Sequence, residues 1–134
     1  MVDQTLLIFK PEVLRRGFAG RLISRFEDRG ITIVQLKLTT IDAPTARTHY
    51  AEHQSKPFFE GLVDYITSGP VLVAVLECEG IIPLVRRMVG PTNPANAEAG
   101  SIRGDFAYSV AENVIHASDS PESAAREISL FFKS

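Results

Sequence analysis

The sequence predicts an α/β (α+β) fold, a ferredoxin-like sandwich with a four-stranded antiparallel sheet, helices and a βαββαβ core. Three observations lead there. Apolar runs with strand character alternate with stretches of helical periodicity, in the order strand, helix, strand, helix pair, strand, helix, loop, strand, helix. That order contains two interleaved βαβ-like units, which can share one sheet with helices over one face and the other face left for assembly. Finally, 134 residues suffice for one domain with its own core, residues 1–134, and leave no room for a second.

Thr5-Leu-Leu-Ile-Phe9 is a short apolar run stopped by Lys10-Pro11, which reads as a buried strand. Leu14, Phe18, Leu22 and Phe26 then recur at helical spacing between charged residues, and Gly30 stands where a helix C-terminal glycine belongs. Val34, Leu36 and Leu38 alternate with Gln35, Lys37 and Thr39, the pattern of a half-buried strand. Asp42 and Pro44 open a helix to about His53, and Lys56-Pro57 begins a shorter one that ends near Ser68-Gly69-Pro70. Val71-Leu-Val-Ala-Val-Leu76 is apolar on both faces and predicts a central strand. A helix follows with Pro83 near its start, closed by Gly90-Pro91. From Gly90 to Ala111 there is little periodicity, and a loop of that length in a small domain points to function. A short strand at Val114-Ile115 and a helix with Ala124, Ile128 and Phe131 on one face complete the chain.

Composition is that of a globular protein, 45% apolar and 22% charged. The net charge of −2 supplies no global field for nucleic acid or an anionic membrane, so a polyanion must meet a local basic cluster. The lone Cys78 makes no intrachain disulfide, and no other Cys or His stands at zinc-finger spacing; a reducing cytoplasm is expected. No basic leader opens the chain and no run of about 18 apolar residues occurs, so a soluble protein without a membrane span is expected.

The most informative segment is Asn113-Val-Ile-His-Ala-Ser-Asp-Ser-Pro-Glu-Ser123. Ser120 suits a helix N-cap, Pro121 the first helical position, and Glu122 adds negative charge to the first turn. His116 therefore sits at a rigid strand–turn–helix junction, and its neutral imidazole is a potential nucleophile. Neither Gly-x-x-x-x-Gly-Lys-[Ser/Thr] nor a strand-following Gly-x-Gly-x-x-Gly occurs. Lys10, Arg86 and Arg103 stand beside strand and helix ends and would suit a polyphosphate if they converged around His116. Three readings stay open on these residues: an enzyme, a nucleotide-sensing module that does no chemistry, and a phosphohistidine relay fed by a partner kinase.

Seven motifs carry a resemblance across essentially the whole chain: Lys10-Pro11, Tyr50-Ala-Glu-His53, Lys56-Pro-Phe-Phe59, Ser68-Gly-Pro70, Thr92-Asn-Pro94, Ile102-Arg-Gly-Asp-Phe106 and Asn113 to Ser120. In this order and spacing the chain resembles the nucleoside diphosphate kinase family. The resemblance implies transfer of the γ-phosphate from a nucleoside triphosphate, mainly ATP, to a nucleoside diphosphate. It implies ping-pong catalysis through a pros-phosphohistidine on His116, for synthesis of NTPs and dNTPs other than ATP. Lys10 resembles the lysine that reaches the transferred phosphate and the ribose hydroxyl. Tyr50 matches a tyrosine whose hydroxyl lies near the histidine, and Phe58 the ring on which the base stacks, with Leu62 and Val110 lining the slot. Arg86, Thr92 and Arg103 match the phosphate clamp, Asn113 the ribose contact, and Glu127 the carboxylate that orients the imidazole. His53 matches a phosphate contact found in some members, and Ser118 a supporting hydroxyl.

Mg²⁺ is implied as the cofactor, carried by the nucleotide phosphates with no protein side chain as ligand. The implied partners are nucleoside di- and triphosphates and further copies of the chain, as a dimer, tetramer or hexamer; neither membrane nor nucleic acid is required. Five positions depart from the family pattern: Glu12-Val13 replaces the common Asp-Gly, Ala117 a common Gly, Ser101 a common Thr and Ala99 a common Pro. Outside the motifs, Phe59 reads as core, His49 as structural and Cys78 as a small apolar filler.

Overall fold

The structure, a computed structural model, describes residues 3–109 and 113–132. Four strands, β1 (Asp3–Phe9), β2 (Thr32–Thr39), β3 (Val71–Cys78) and β4 (Ile115–Ala117), form one sheet in the order β2-β3-β1-β4. Every neighbouring pair is antiparallel, so the expected ferredoxin-like sheet is present. Seven α-helices accompany it among the described residues: α1 (Pro11–Arg16), α2 (Ala19–Asp28), α3 (Ala43–His49), α4 (Phe59–Ile66), α5 (Ile81–Val89), α6 (Ile102–Phe106) and α7 (Pro121–Phe131).

Successive side chains of a strand point to opposite faces, and β1 is apolar on both. Leu7 and Phe9 join Ala74, Leu76, Ile115 and Ala117 under Leu22 and Phe26 of α2 and Val85 and Val89 of α5. Leu6 and Ile8 face the other way, with Val71, Val73 and Val75, against Ala46 of α3, Val63 and Ile66 of α4 and Phe131 of α7. Helices thus pack on both faces of the central strands rather than on one. A strand such as β1, apolar in the four consecutive positions Leu6 to Phe9, needs cover on each side.

The stretch from Leu14 to Phe26 is two helices, not one. Gly17 adopts φ +74 at the end of α1, a left-handed conformation open to glycine at little cost, and its N–H bonds back to Val13 and Leu14 carbonyls. Phe18 then starts α2 on a new axis while staying in the core. The helix expected to run to His53 stops at His49 and gives way to a single 3₁₀ turn at Ala51–His53.

Edge strand β2 departs most from expectation. Its alternation holds, but Val34, Leu36 and Leu38 are 43%, 47% and 64% exposed rather than half-buried by the chain's own helices. A register shift between Ile33 and Gln35 marks a bulge there.

Candidate active site

The site begins with the pairing of β1 and β4. His116 stands opposite Ile8, while its neighbours Ile115 and Ala117 point into the opposite core. The imidazole therefore emerges on the face covered by α3 and the end of α7. The strand entering this position is strained: Val114, a β-branched residue, has φ +65. The Ile115 N–H bonds the Asn113 carbonyl at 2.8 Å across it, a three-residue γ-turn. Neighbours hold the turn from several sides. The Lys10 N–H donates to the Val114 carbonyl at 2.9 Å, and Arg103 reaches the Asn113 and Ile115 carbonyls from Nε and Nη2 at 3.3 and 2.7 Å. Over-determination of this kind is what lets a costly backbone conformation persist.

After β4 the expected helix start is found in detail. Ser120 Oγ accepts the Ser123 N–H at 3.1 Å and Pro121 occupies the first turn of α7. Two turns further on, α7 delivers Glu127, whose Oε1 lies 2.9 Å from His116 Nε2 and accepts the Ser118 hydroxyl at 2.8 Å. A carboxylate at Nε2 fixes the proton there and leaves the Nδ1 lone pair available. Ser118 is fully buried and also accepts the Leu6 N–H at 3.1 Å, tying this corner to β1.

Cations gather beside the imidazole. Lys10 is buried at the end of β1, donating to Asn113 Oδ1 at 2.7 Å. Burial, then the charge of Arg103, lower its pKa from 10.5 to about 7, against an opposing pull from Glu12. Arg103 donates to three backbone carbonyls, those of Gly90, Asn113 and Ile115, leaving two of its five N–H groups. Burial and the neighbouring Arg86 bring its pKa to about 10. Arg86, on α5, donates to the Ala117 carbonyl at 3.3 Å and is otherwise solvent-facing.

The segment carrying Arg103 is not loose. Ser101 caps α6 through the Gly104 N–H at 3.1 Å, and Arg25 of α2 binds Asp105 at 2.6 Å and the Gly100 carbonyl at 3.1 Å. Phe106 stacks on Phe18 with ring centroids 4.6 Å apart. Gly104 is required by space: a Cβ there would stand 2.0 Å from the Glu98 carbonyl oxygen. Asp105 thus pairs with Arg25 rather than with Arg103.

At the departure Glu12, the first helix forms without distortion. Its carboxylate is buried, accepts Arg16 at 3.2 Å and the Tyr65 hydroxyl, and Arg16 continues to the Phe106 carbonyl at 2.8 Å. The longer carboxylate therefore braces α1 against α4 and α6.

Tyr50 and His49 close the site from α3. The Tyr50 hydroxyl is buried without a hydrogen-bond partner among the described residues, and burial followed by the charge of Glu127 pushes its pKa up. His49 packs edge-on to His116 with centroids 4.6 Å apart and to Tyr50 at the same distance. Burial, then His116, Lys10, Arg126 and His53, drive its pKa down to about 2, so it is neutral near pH 7. Read from the sequence as structural, His49 is a direct neighbour of the candidate nucleophile. Its one sequence signal is position, next to Tyr50 in the Tyr50–His53 motif.

Phe58, 51% exposed at the N-terminal edge of α4, forms a separate lip with His53, whose ring lies 5.7 Å away. Lys56 Nζ stands 3.1 Å from His53 Nδ1. Leu62 lies one turn along α4, partly buried against the core. Thr92 lies in the exposed bend after α5 and is joined to His116 by no described contact. Val110 falls outside the described residues. Among those described, a single group of His, Cys, Asp and Glu ligand atoms gathers closely enough for a metal, that of His49, His116 and Glu127. With two imidazoles and one carboxylate it is not the oxygen-rich environment Mg²⁺ requires. No described helix is long and apolar enough to cross a membrane.

Known proteins match this chain over its length. A family model described as nucleoside diphosphate kinase matches residues 3–134. The nucleoside diphosphate kinase of Methanothermobacter thermautotrophicus is 55% identical over 98% of this chain and 87% of its own. That of Chloroflexus aggregans is 56% identical over 98% and 88%. The Halobacterium salinarum nucleoside diphosphate kinase, solved with CDP, superposes with a TM-score of 0.97 at 40% identity, covering 100% of this chain and 90% of that one. The Aquifex aeolicus enzyme does so with a TM-score of 0.95 at 40% identity over 100% and 97%. By residues, fold and relatives alike, the chain belongs to the nucleoside diphosphate kinase family of enzymes.

Proposed function

We propose that His116 carries the phosphoryl group between the two nucleotides, through Nδ1. The observation that supports this best is the 2.9 Å contact of Glu127 with His116 Nε2, which leaves Nδ1 as the free nucleophile. In the first half-reaction Nδ1 attacks the γ-phosphorus of a nucleoside triphosphate; the Nδ1–P bond forms, the bond to the β,γ-bridging oxygen breaks, and the diphosphate leaves with that electron pair. In the second, a terminal oxygen of another nucleoside diphosphate attacks the phosphohistidine, and Nδ1 recovers its lone pair. The nucleophile needs no deprotonation, so the demands are position and charge.

Lys10, Arg86 and Arg103 supply the charge around the transferred group, and Thr92 and His53 extend the phosphate contacts. Tyr50 offers to the same group its hydroxyl, which is unpaired among the described residues. Asn113 and Lys10, already bonded at 2.7 Å, receive the ribose hydroxyls. The exposed ring of Phe58 stacks the base, with Leu62 and Val110 beside it; a flat apolar face accepts any base, which suits broad nucleotide use. Mg²⁺ enters with the nucleotide and neutralises phosphate charge there. The product role is synthesis of NTPs and dNTPs other than ATP, in the cytoplasm, by a single domain of residues 1–134.

The same reading includes a homo-oligomer. Val34, Leu36 and Leu38 present an apolar stripe on an edge strand, a surface that isolated chains avoid exposing.

Labelling tests the chemistry. Incubation with γ-labelled ATP and Mg²⁺, quenched without acid, is expected to leave acid-labile label on His116, and none in His116→Ala. A His116→Ala variant that still exchanged phosphate between unlike nucleotides would overturn the assignment.

A further inference from the structure

We infer that His49, His116 and Glu127 form an inhibitory site for a borderline divalent d-block cation, of which Zn²⁺ is the type. The ligand atoms of these residues all lie within 4.8 Å of one another. Two neutral imidazoles and one carboxylate are a donor set suited to Zn²⁺, with ligand distances of about 2.0–2.2 Å. His116 Nε2 and Glu127 Oε1 are 2.9 Å apart along their hydrogen bond, so closing the site needs the carboxylate to swing off that axis, toward the roughly 3.3 Å donor spacing of a tetrahedral ion, and His49 to move inward.

Two further observations support it. His49 is 7% exposed, and its Nδ1 is buried without a hydrogen-bond partner among the described residues, an arrangement that ordinarily costs stability. A cavity of about 250 Å³ between α3 and α7, lined by Thr48, His49, Arg126, Glu127, Ser129 and Leu130, gives a route to these groups. Lys10 and Arg126 lie in electrostatic reach of His49 and oppose a dication, which keeps the affinity moderate and the site reversible.

The inhibitory consequence rests on the reading of His116 as nucleophile; the binding itself does not. A cation on Nε2 takes the position of the Nε2 proton. In the neutral imidazole that proton moves to Nδ1, through water, and the lone pair that would attack phosphorus becomes an N–H. No net proton is released, and the Ser118 hydroxyl keeps its bond to Glu127. The cation reaches the back of the ring, from the side opposite the nucleophilic nitrogen.

The test uses the full chain in a Cys78→Ser background, which removes the one thiolate able to compete. Titration with Zn²⁺ alone is expected to show one saturable site per chain, and Co²⁺ to give tetrahedral visible bands. Anomalous scattering at the zinc edge should place the ion between His49, His116 and Glu127. His49→Phe keeps the ring packing and should lose the site, with His49→Gln as the alternative if that variant fails to fold. At buffered free Zn²⁺ and saturating Mg²⁺-ATP, labelling of His116 should fall. In the His49 variant, half-inhibition relative to its own zinc-free rate should need at least about tenfold more Zn²⁺. No saturable binding, an anomalous peak elsewhere, or equal binding by the His49 variant overturns the inference. Failure of the nucleophile reading shows separately, as absence of acid-labile label without Zn²⁺.

Discussion

Glu127 and His116 meet through a single carboxylate oxygen: Oε1 lies 2.9 Å from Nε2 and simultaneously accepts Ser118 Oγ at 2.8 Å. One buried atom thereby sets the tautomer of the ring and anchors the turn that follows it. Glu127→Ala strands both donors, and an unsatisfied buried donor costs about 1–3 kcal/mol. Urea denaturation should register a loss of that size together with slower phosphohistidine formation. Ser118→Ala should lose comparable stability, because the Leu6 N–H also loses its acceptor, yet slow labelling less. Equal labelling rates in wild type and Glu127→Ala would refute the orienting role.

Lys10 gives the site a signature in alkaline solution. Its folded pKa of about 7 lies below the ordinary 10.5, so between these values the unfolded chain holds a proton that the folded chain lacks. Stability contributed through this group therefore rises with pH across that window, by at most about 1.4 kcal/mol per unit. Its destabilising effect is fully present below pH 7. Lys10→Met should flatten the profile between pH 7 and 10. Nucleotide phosphates favour the charged lysine, so binding at pH 8–9 should take up protons. Calorimetry in buffers of different ionisation enthalpy measures that uptake.

At Arg103 the geometry separates charge from shape. Three guanidinium N–H groups hold carbonyls on either side of the Val114 turn and at Gly90. Arg103→Lys preserves the charge but cannot span those acceptors. It should therefore behave much like Arg103→Ala, with a fall in kcat/KM equivalent to about 2–4 kcal/mol. Near-normal turnover in the lysine variant would show that charge alone matters there.

Acid should act first through His49. Folding holds its pKa near 2, against 6.5 ordinarily, so the unfolded chain binds the extra proton as pH drops below 6.5. Stability then declines toward acid by up to about 1.4 kcal/mol per unit. His49→Phe should shift the urea midpoint less between pH 7 and 5 than wild type does. An identical pH dependence in the two proteins would remove His49 from the acid response.

On β2, Leu36→Glu with Leu38→Glu changes side chains that the chain itself leaves largely exposed. The variant should fold with little change, within about 0.5 kcal/mol for the isolated chain. Light scattering is expected to report a smaller assembly than wild type. An unchanged assembly would move the interface elsewhere.

Much of this architecture was legible in local pattern, and what escaped was set over long range. Ser120-Pro121 announced α7 because capping and the first-turn proline depend on adjacent residues. Gly17 gave no such warning: spacing from Leu14 to Phe26 suits one helix, and only packing reveals the break. Alternation in β2 located the strand but not its exposure, which follows from its place at the sheet edge. The cluster around His116 joins residues far apart in sequence, with Lys10 and Asn113 separated by 103 positions. Periodicity could propose each member; the β1–β4 register brings them together. His49 was passed over because nothing on its own helix announces a ring from another element.

The Val114 turn makes distance along the chain as consequential as residue type. Asn113 and His116 flank it, and the Asn113, Val114 and Ile115 carbonyls and the Ile115 N–H are all committed to partners at the end of β1, on α6 or within the turn itself. Inserting or deleting one residue here would hand His116's place to a side chain pointing into the opposite core. With the roles proposed for Asn113 and His116, the segment is a fixed-length gauge between sugar and phosphate. It can exchange side chains, but it has no slack in which to gain or lose a residue.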